Sequence, residues 1–155
     1  MMLRMFGLAL ALVALVGCRN PGDPLDQLQL FVSVEPAVVT ATAPVAVTVR
    51  IVNTSDQATA VHANGCPQLF EVRTLSGALV GPEPTLCNLL GYPPVQLLPG
   101  AEWRLTYQWT GKGRGEGSWD VAALPPGAYH IQAVLYPLCN GCSNRRSEAA
   151  TVVLE

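Results

Sequence analysis

Hydrophobic and polar positions alternate along most of this chain, in short runs cut by proline and glycine. Leu28, Leu30, Val32 and Val34 alternate with Gln29, Phe31 and Ser33 until Glu35-Pro36 ends the run. In a second run Val45, Val47, Val49 and Ile51 share one side while Thr48 and Arg50 take the other. Pro44 and Asn53-Thr54-Ser55-Asp56 bracket it with turn chemistry. A period of two predicts a strand with one face buried. Ala58–Ala63 and Leu69–Thr74 continue the pattern more weakly, with Phe70 and Val72 facing in, and Leu75-Ser76-Gly77 turns the chain into Ala78–Val80. The clearest run sets Trp103, Leu105, Tyr107 and Trp109 against Glu102, Arg104, Thr106 and Gln108, after the sharp turn Leu97-Leu98-Pro99-Gly100. Leu124-Pro125-Pro126-Gly127 leads into Tyr129, Ile131, Ala133 and Leu135, and Ser147–Glu155 makes a last strand through Val152 and Leu154. Gly81–Pro94, with four prolines and two glycines, and the glycine-alternating Gly111–Ser118 read as loops.

The pattern predicts seven to nine strands and no amphipathic helix of useful length. That is an all-β chain, an immunoglobulin-like antiparallel β-sandwich after an N-terminal signal segment. Tyr129, just past Pro126-Gly127 at the start of a late strand, sits where that fold places a tyrosine corner.

The N-terminus breaks the pattern. Gly7–Val16 is an uncharged apolar run of ten residues behind the single charge Arg4. It fits the core of a secretory signal and is too short to span a membrane, which takes about 20 apolar residues. The stretch Leu15-Val16-Gly17-Cys18 resembles the bacterial lipobox, in which the cysteine is lipidated and becomes the first residue after cleavage. The expected organisation is therefore a lipoprotein signal peptide over 1–17, a lipidated Cys18 with a polar tether over 18–27, and one β-sandwich domain over 28–155. Two or more acyl chains, at about 0.8 kcal/mol per buried CH₂, make such an anchor effectively permanent. Arg19 stands where enteric lipoproteins carry Asp as an inner-membrane retention signal, so the outer membrane is the expected address where there is one, and the cell membrane otherwise. Fully extended, Arg19–Gln27 reaches about 30 Å at roughly 3.3 Å per residue.

Export changes the meaning of the cysteines. With Cys18 committed to lipid, Cys66, Cys87, Cys139 and Cys142 remain, and an even number outside the cytoplasm reads as two disulfides. Three pairings are open. Local closure favours Cys66–Cys87 and Cys139–Cys142, the second across the turn-forming Asn140-Gly141. Cys139-Asn140-Gly141-Cys142 with Cys66 and Cys87 could instead form a four-thiolate zinc site. The compartment and the distant spacing of the first pair favour disulfides, so no metal and no cofactor is expected.

From Val45 to Tyr136 the chain resembles the BsuPI family, the intracellular proteinase inhibitor domain. The resemblance is carried by Val47-Thr48-Val49-Arg50-Ile51-Val52-Asn53-Thr54-Ser55, Leu69-Phe70-Glu71-Val72, Gly77, Leu98-Pro99-Gly100, Trp109 and Leu124-Pro125-Pro126-Gly127-Ala128-Tyr129-His130-Ile131. It implies a β-sandwich and, as for some members, inhibition of a serine protease. This chain departs from its namesakes in being exported, and a different compartment means a different target.

Candidate chemistry is sparse. The formal net charge is −2, which provides no electrostatic footprint for nucleic acid. No Gly-x-Ser-x-Gly elbow occurs, and Gly111–Gly117 matches neither the P-loop nor the dinucleotide fingerprint. His62 and His130 are the two histidines, and His130 alternates outward on its strand. Trp103, Tyr107 and Trp109 share a side with Leu105, as core residues do, which leaves Trp119 as the free aromatic for a sugar-binding platform. Arg145-Arg146 reads as a solvated loop pair, and Asn53-Thr54-Ser55 matches a glycosylation sequon. Lys112 and Arg114, as the charged tips of a projecting hairpin loop, and Trp119 beside them are the candidate partner contacts. The expected function is a non-catalytic, lipid-anchored envelope module that binds a protein partner. The alternatives are an extracytoplasmic serine proteinase inhibitor and a carbohydrate-binding envelope module.

Overall fold

The computed structural model describes residues 24–40, 43–62, 68–84, 93–116, 120–136 and 144–155. After a 3-10 turn at Pro24–Gln27, the strands are β1 (Leu28–Glu35), β2 (Val38–Val39), β3 (Val45–Asn53), β4 (Thr59–Val61), β5 (Phe70–Thr74), β6 (Leu79–Gly81) and β7 (Val95–Leu97). They continue with β8 (Glu102–Trp109), β9 (Lys112–Arg114), β10 (Val121–Ala123), β11 (Gly127–Leu135), β12 (Arg145–Arg146) and β13 (Ala150–Leu154).

Two sheets hold most of them. One has the order β1-β3-β8. The other has the order β2-β13-β11-β5-β6, with β12 added on β11. Ribbons β4-β7 and β9-β10 complete the set. All pairings are antiparallel except β2 with β13. The chain is therefore an all-β sandwich, as its alternation predicts. Every second residue of β3, from Val45 through Val47, Val49 and Ile51, is sealed from solvent. These side chains meet Leu28 and Leu30 of β1 and, from the facing sheet, Val72, Ile131 and Val152 in one core. The ring centroids of Phe70 and Tyr107 lie 5.2 Å apart across the two layers, in a tilted aromatic contact. The solvent face of the smaller sheet is a polar ladder. Arg50 stacks its guanidinium 4.4 Å above the Phe31 ring, and the hydroxyls of Thr48 and Thr106 share a hydrogen bond of 3.1 Å.

Two polar residues fasten the frame. Tyr129 donates its hydroxyl to the Pro125 carbonyl oxygen at 2.8 Å, which closes the tyrosine corner the sequence suggests. Asn53, with no exposed surface, donates from Nδ2 to the carbonyls of Gln57 (2.7 Å) and Leu97 (2.9 Å), and its Oδ1 accepts from the Ser55 amide and hydroxyl. A buried amide so fully partnered ties the end of β3 to β7 and offers no free nitrogen to a glycan, so the sequon match has no accessible acceptor in the folded chain.

The strand registers also give the sandwich two distinct ends. Leu28 pairs with Asn53 and Glu35 with Ala46, so the segment expected to act as a tether joins at the end where β3 finishes and β8 begins. Gly127 pairs with Leu154, beside Val39, at the far end, and β11 then runs back toward the tether end. There Leu135 pairs with Arg145, and the Arg145 guanidinium bonds Asp26 of the 3-10 turn at 2.8 Å.

Candidate functional site

The most organised polar group in the fold grows from β5. Alternation points Phe70 and Val72 into the core, which leaves Glu71 and Arg73 on the outward side of the larger sheet. An outward carboxylate should be solvated, yet Glu71 is only 4% exposed. Its cover comes from the hairpin of β11 and β12. Oε2 accepts from Arg73 Nε (3.0 Å), Arg73 Nη2 (2.7 Å) and Arg146 Nε (3.1 Å). Oε1 accepts from the Tyr136 hydroxyl (3.0 Å) and Arg146 Nη2 (3.3 Å). Arg73 also donates from Nη1 to the Gly77 carbonyl at 2.7 Å.

Each piece is held by the strand beneath it. Val134 of β11 pairs with Arg146 and is fully buried on this outward side, away from the main core. Ser147 extends the pairing past β12: its amide donates to the Ala133 carbonyl, its Oγ accepts from the Ala133 amide, and its carbonyl accepts from Gln132 Nε2. Gln132 in turn sits opposite Glu71 in the register.

The electrostatics follow from this packing. Burial pushes the Glu71 carboxyl up, but hydrogen bonds from Arg146, Arg73 and Tyr136 outweigh it and hold the group below the ordinary carboxylate range. Burial, and then the bond to Glu71, drives the Tyr136 phenol up to about 12, while the charges of Arg146 and Arg114 pull the other way. The bond to Glu71 raises Arg146. The result is one buried anion fixing two half-buried guanidiniums. It can present positive charge in a fixed geometry, and its one hydroxyl, that of Tyr136, is bonded to the carboxylate.

The positions singled out in the sequence distribute as follows. Lys112 and Arg114 do not tip a loop: Lys112–Arg114 is strand β9, paired with β10 as Arg114 to Val121 and Lys112 to Ala123. The alternating glycines that suggest a loop are the packing side of that strand. A Cβ on Gly113 would lie 2.2 Å from the Val80 carbonyl oxygen and 2.6 Å from Leu124 Cδ2, so only glycine lets β9 approach β6. Lys112 and Arg114 are exposed on its other side. Arg145-Arg146 is likewise strand β12, and both guanidiniums are committed, to Asp26 and Glu71. Trp109 is core; Trp103 and Tyr107 are partly buried against it. His130 lies between Arg73 and Thr151 in the sheet register.

Cys18, Cys66, Cys87, Cys139, Cys142 and Trp119 lie outside the described residues. The strands that flank the cysteines are described: Val61 pairs with Val95 at the mouth of the connections carrying Cys66 and Cys87, and Leu135 pairs with Arg145 at the mouth of the one carrying Cys139 and Cys142. Among the described residues, no three His, Cys, Asp or Glu side chains are grouped to hold a metal ion, and no helix is long and apolar enough to cross a membrane.

The Glu71 cluster itself escapes sequence reading. Its members stand up to 75 residues apart, and the one local signal is a carboxylate and an arginine two residues apart on a strand.

No family model and no curated protein matches the chain. Among solved structures it is similar to the Pseudomonas fluorescens alkylpurine DNA glycosylase AlkC, at 11% identity and a TM-score of 0.48 over 83% of this chain and 30% of that one. It is also similar to a β-glucosidase from Listeria innocua, at 14% identity and a TM-score of 0.44 over 82% of this chain and 16% of that one. The structural-genomics target SoR45 matches at 13% identity and a TM-score of 0.39, over 83% and 86% of the two chains. This chain spans under a third of the glycosylase and about a sixth of the β-glucosidase, and at such identities these likenesses say nothing of what it binds.

Proposed function

We propose that this chain is a cell-envelope lipoprotein whose β-sandwich binds a protein partner without performing chemistry. The observation that carries the binding reading is the Glu71 cluster, a set of arginines fixed by buried bonds on an outward sheet face. The frame does not need two guanidiniums on one carboxylate there, since an apolar pair would cover Val134 at less desolvation cost. The lipobox-like Leu15-Val16-Gly17-Cys18 supports the anchor, and the short tether ahead of β1 fits a domain held near a membrane. Disulfides Cys66–Cys87 and Cys139–Cys142 belong to this reading, since each pair sits on connections whose mouths are paired strands.

The test is in cells. The mass of the mature protein should show Cys18 carrying acyl chains, and a Cys18→Ser variant should leave the membrane fraction. Cross-linking in intact cells should give a discrete adduct, and finding none across several growth conditions would sink the binding reading. A panel of serine proteases titrated with the purified domain separates out the inhibitor reading, which requires stoichiometric loss of activity.

A further inference from the structure

We propose that β8 pairs edge to edge with β8 of a second copy of this chain, antiparallel about a twofold axis at Leu105. The inference goes beyond the binding reading above and does not rest on it.

The backbone of β8 is half used. β8 ends the sheet of order β1-β3-β8, so among the described residues no strand pairs with its outer side. In an antiparallel pair the bonded positions alternate. The Asn53 amide donates to the Ala101 carbonyl at 3.0 Å, which makes Trp103, Leu105, Tyr107 and Trp109 the β8 residues bonded to β3. Glu102, Arg104, Thr106 and Gln108 therefore turn their N–H and C=O groups to the outer side. On the far side of β3 the Thr54 amide donates to the Gln27 carbonyl, which fits the same phase. Such edges are ordinarily blunted by a proline, a bulge or a very short strand. Strand β2 has two residues, and β6 has three beside a register shift at Val72 and Arg73. By contrast β8 runs for eight residues with no proline and no break in register.

The side chains identify the occupant. Val47, Val49 and Ile51 of β3 are sealed, but their β8 partners Tyr107, Leu105 and Trp103 are only partly buried. The core is open along this edge, whereas at β1, the other edge of the sheet, Leu28 and Leu30 are closed off. Inward side chains stay beside inward ones only when the twofold passes through a residue. Centred on Leu105, it sets Leu105 against its own copy and Trp103 against Tyr107, so each chain covers what the other leaves open. On the outward side Arg104 meets Thr106 and Glu102 meets Gln108. No like charges are opposed, and Glu102 already holds Arg104 at 2.9 Å within its own chain. The neighbouring registers fail. A twofold at Arg104 opposes two arginines. One at Thr106 sets Trp103 against Trp109, which is 1% exposed and has no surface to offer. The strand is thus complementary to itself in one register.

The experiment uses the mature chain Arg19–Glu155, which contains the whole core from Leu28 to Leu154. One strand ladder buries less than the roughly 1,600 Å² of a standard interface, so a weak dimer is expected in sedimentation, with a Kd below about 1 mM. Thr106 is exposed, and the twofold places it opposite Arg104 on both sides of the axis. Thr106→Arg should weaken the dimer about fivefold or more, and Thr106→Glu should tighten it by as much. Both variants lose the bond to the Thr48 hydroxyl, so the difference between them reports the charge. Leu105→Cys should form an intermolecular disulfide on oxidation, because Cα atoms in a pair of that kind lie about 4.5 Å apart, within disulfide reach. Thr106→Cys, diagonal to its own copy at about 7–8 Å, should not. A chain that stays monomeric up to about 1 mM overturns the proposal. So does a dimer that both Thr106 variants leave unmoved, or cross-linking of Thr106→Cys in preference to Leu105→Cys. In cells, a photo-cross-linker at Thr106 should give an adduct of twice the chain's mass. An adduct with a different protein, and none of twice the mass, puts a foreign strand on this edge and overturns self-pairing.

Discussion

Glu71→Gln isolates the charge at the centre of the cluster while keeping its shape. Glutamine retains one acceptor oxygen where the carboxylate has two, and it points an amide toward a guanidinium or the Tyr136 hydroxyl. Removing one partner of a buried ion pair costs about 3–5 kcal/mol. Here Arg73 and Arg146 keep 24% and 36% of their side chains in solvent and can be rehydrated, so the expected loss is about 2 kcal/mol. For a domain of this size that lowers Tm by roughly 4–8 °C. The pH dependence gives a second reading. Burial acts to raise Glu71, but the bonds from Arg146, Arg73 and Tyr136 win, so the folded chain holds this proton less tightly than the unfolded one. The resulting stability is fully present above the ordinary glutamate value, about 4.3, and is lost as pH falls through the folded value. Thermal unfolding followed by circular dichroism should show a gap between wild type and Glu71→Gln at pH 7 that closes toward pH 2. A gap within about 0.5 kcal/mol at neutral pH, the range of ordinary surface changes, or one that stays constant down to pH 2, would refute the reasoning.

Asn53→Ala removes four hydrogen bonds and leaves the Leu97 carbonyl short of a donor, while the Ser55 hydroxyl still reaches the Gln57 carbonyl; a loss of about 3 kcal/mol is expected by urea denaturation. Gly113→Ala should cost at least about 2 kcal/mol by the same assay, because its Cβ collides with the Val80 carbonyl and Leu124, and overpacking of this kind costs 1–3 kcal/mol or so. Gly77→Ala, with φ +92° and open space around it, should lose only about 1 kcal/mol, the penalty of a left-handed backbone. Burial raises the Tyr107 phenol to about 12 even though its oxygen accepts the Leu69 amide, so the unfolded chain ionises first and stability should fall from about pH 10 upward. Tyr107→Phe should flatten that alkaline decline relative to wild type in a pH titration of Tm.

The frame was legible wherever burial is one-sided. Val45 to Ile51 and Trp103 to Trp109 alternate because each strand has one wet face, Tyr129 to Leu135 does so until Val134, which is buried on the outward side, and these are the strands the structure shows. Where glycine supplies the packing side, as in Lys112-Gly113-Arg114, the same period of two carries no hydrophobic signal, and a strand reads as a loop. Two-residue strands such as Val38–Val39 and Arg145–Arg146 are too short for any period to appear. Glu71 reads as a solvated strand residue because nothing near it in sequence hints that Tyr136 and Arg146 will cover it. Such contacts exist only once β11 and β12 have folded onto β5.

The position of β1 has a mechanical consequence. The chain enters the sheet at Leu28 and β1 runs straight from there, paired residue for residue with β3 as far as Glu35 and Ala46. A pull applied to the chain ahead of Leu28 and resisted at the opposite sheet is therefore directed along the strand. The rungs of the β1–β3 ladder are then loaded together in shear, and none can be peeled before its neighbours. A domain pulled from this end bears tension with one of its two longest ladders, whereas attachment through a strand meeting the sheet end-on would unzip under the same force.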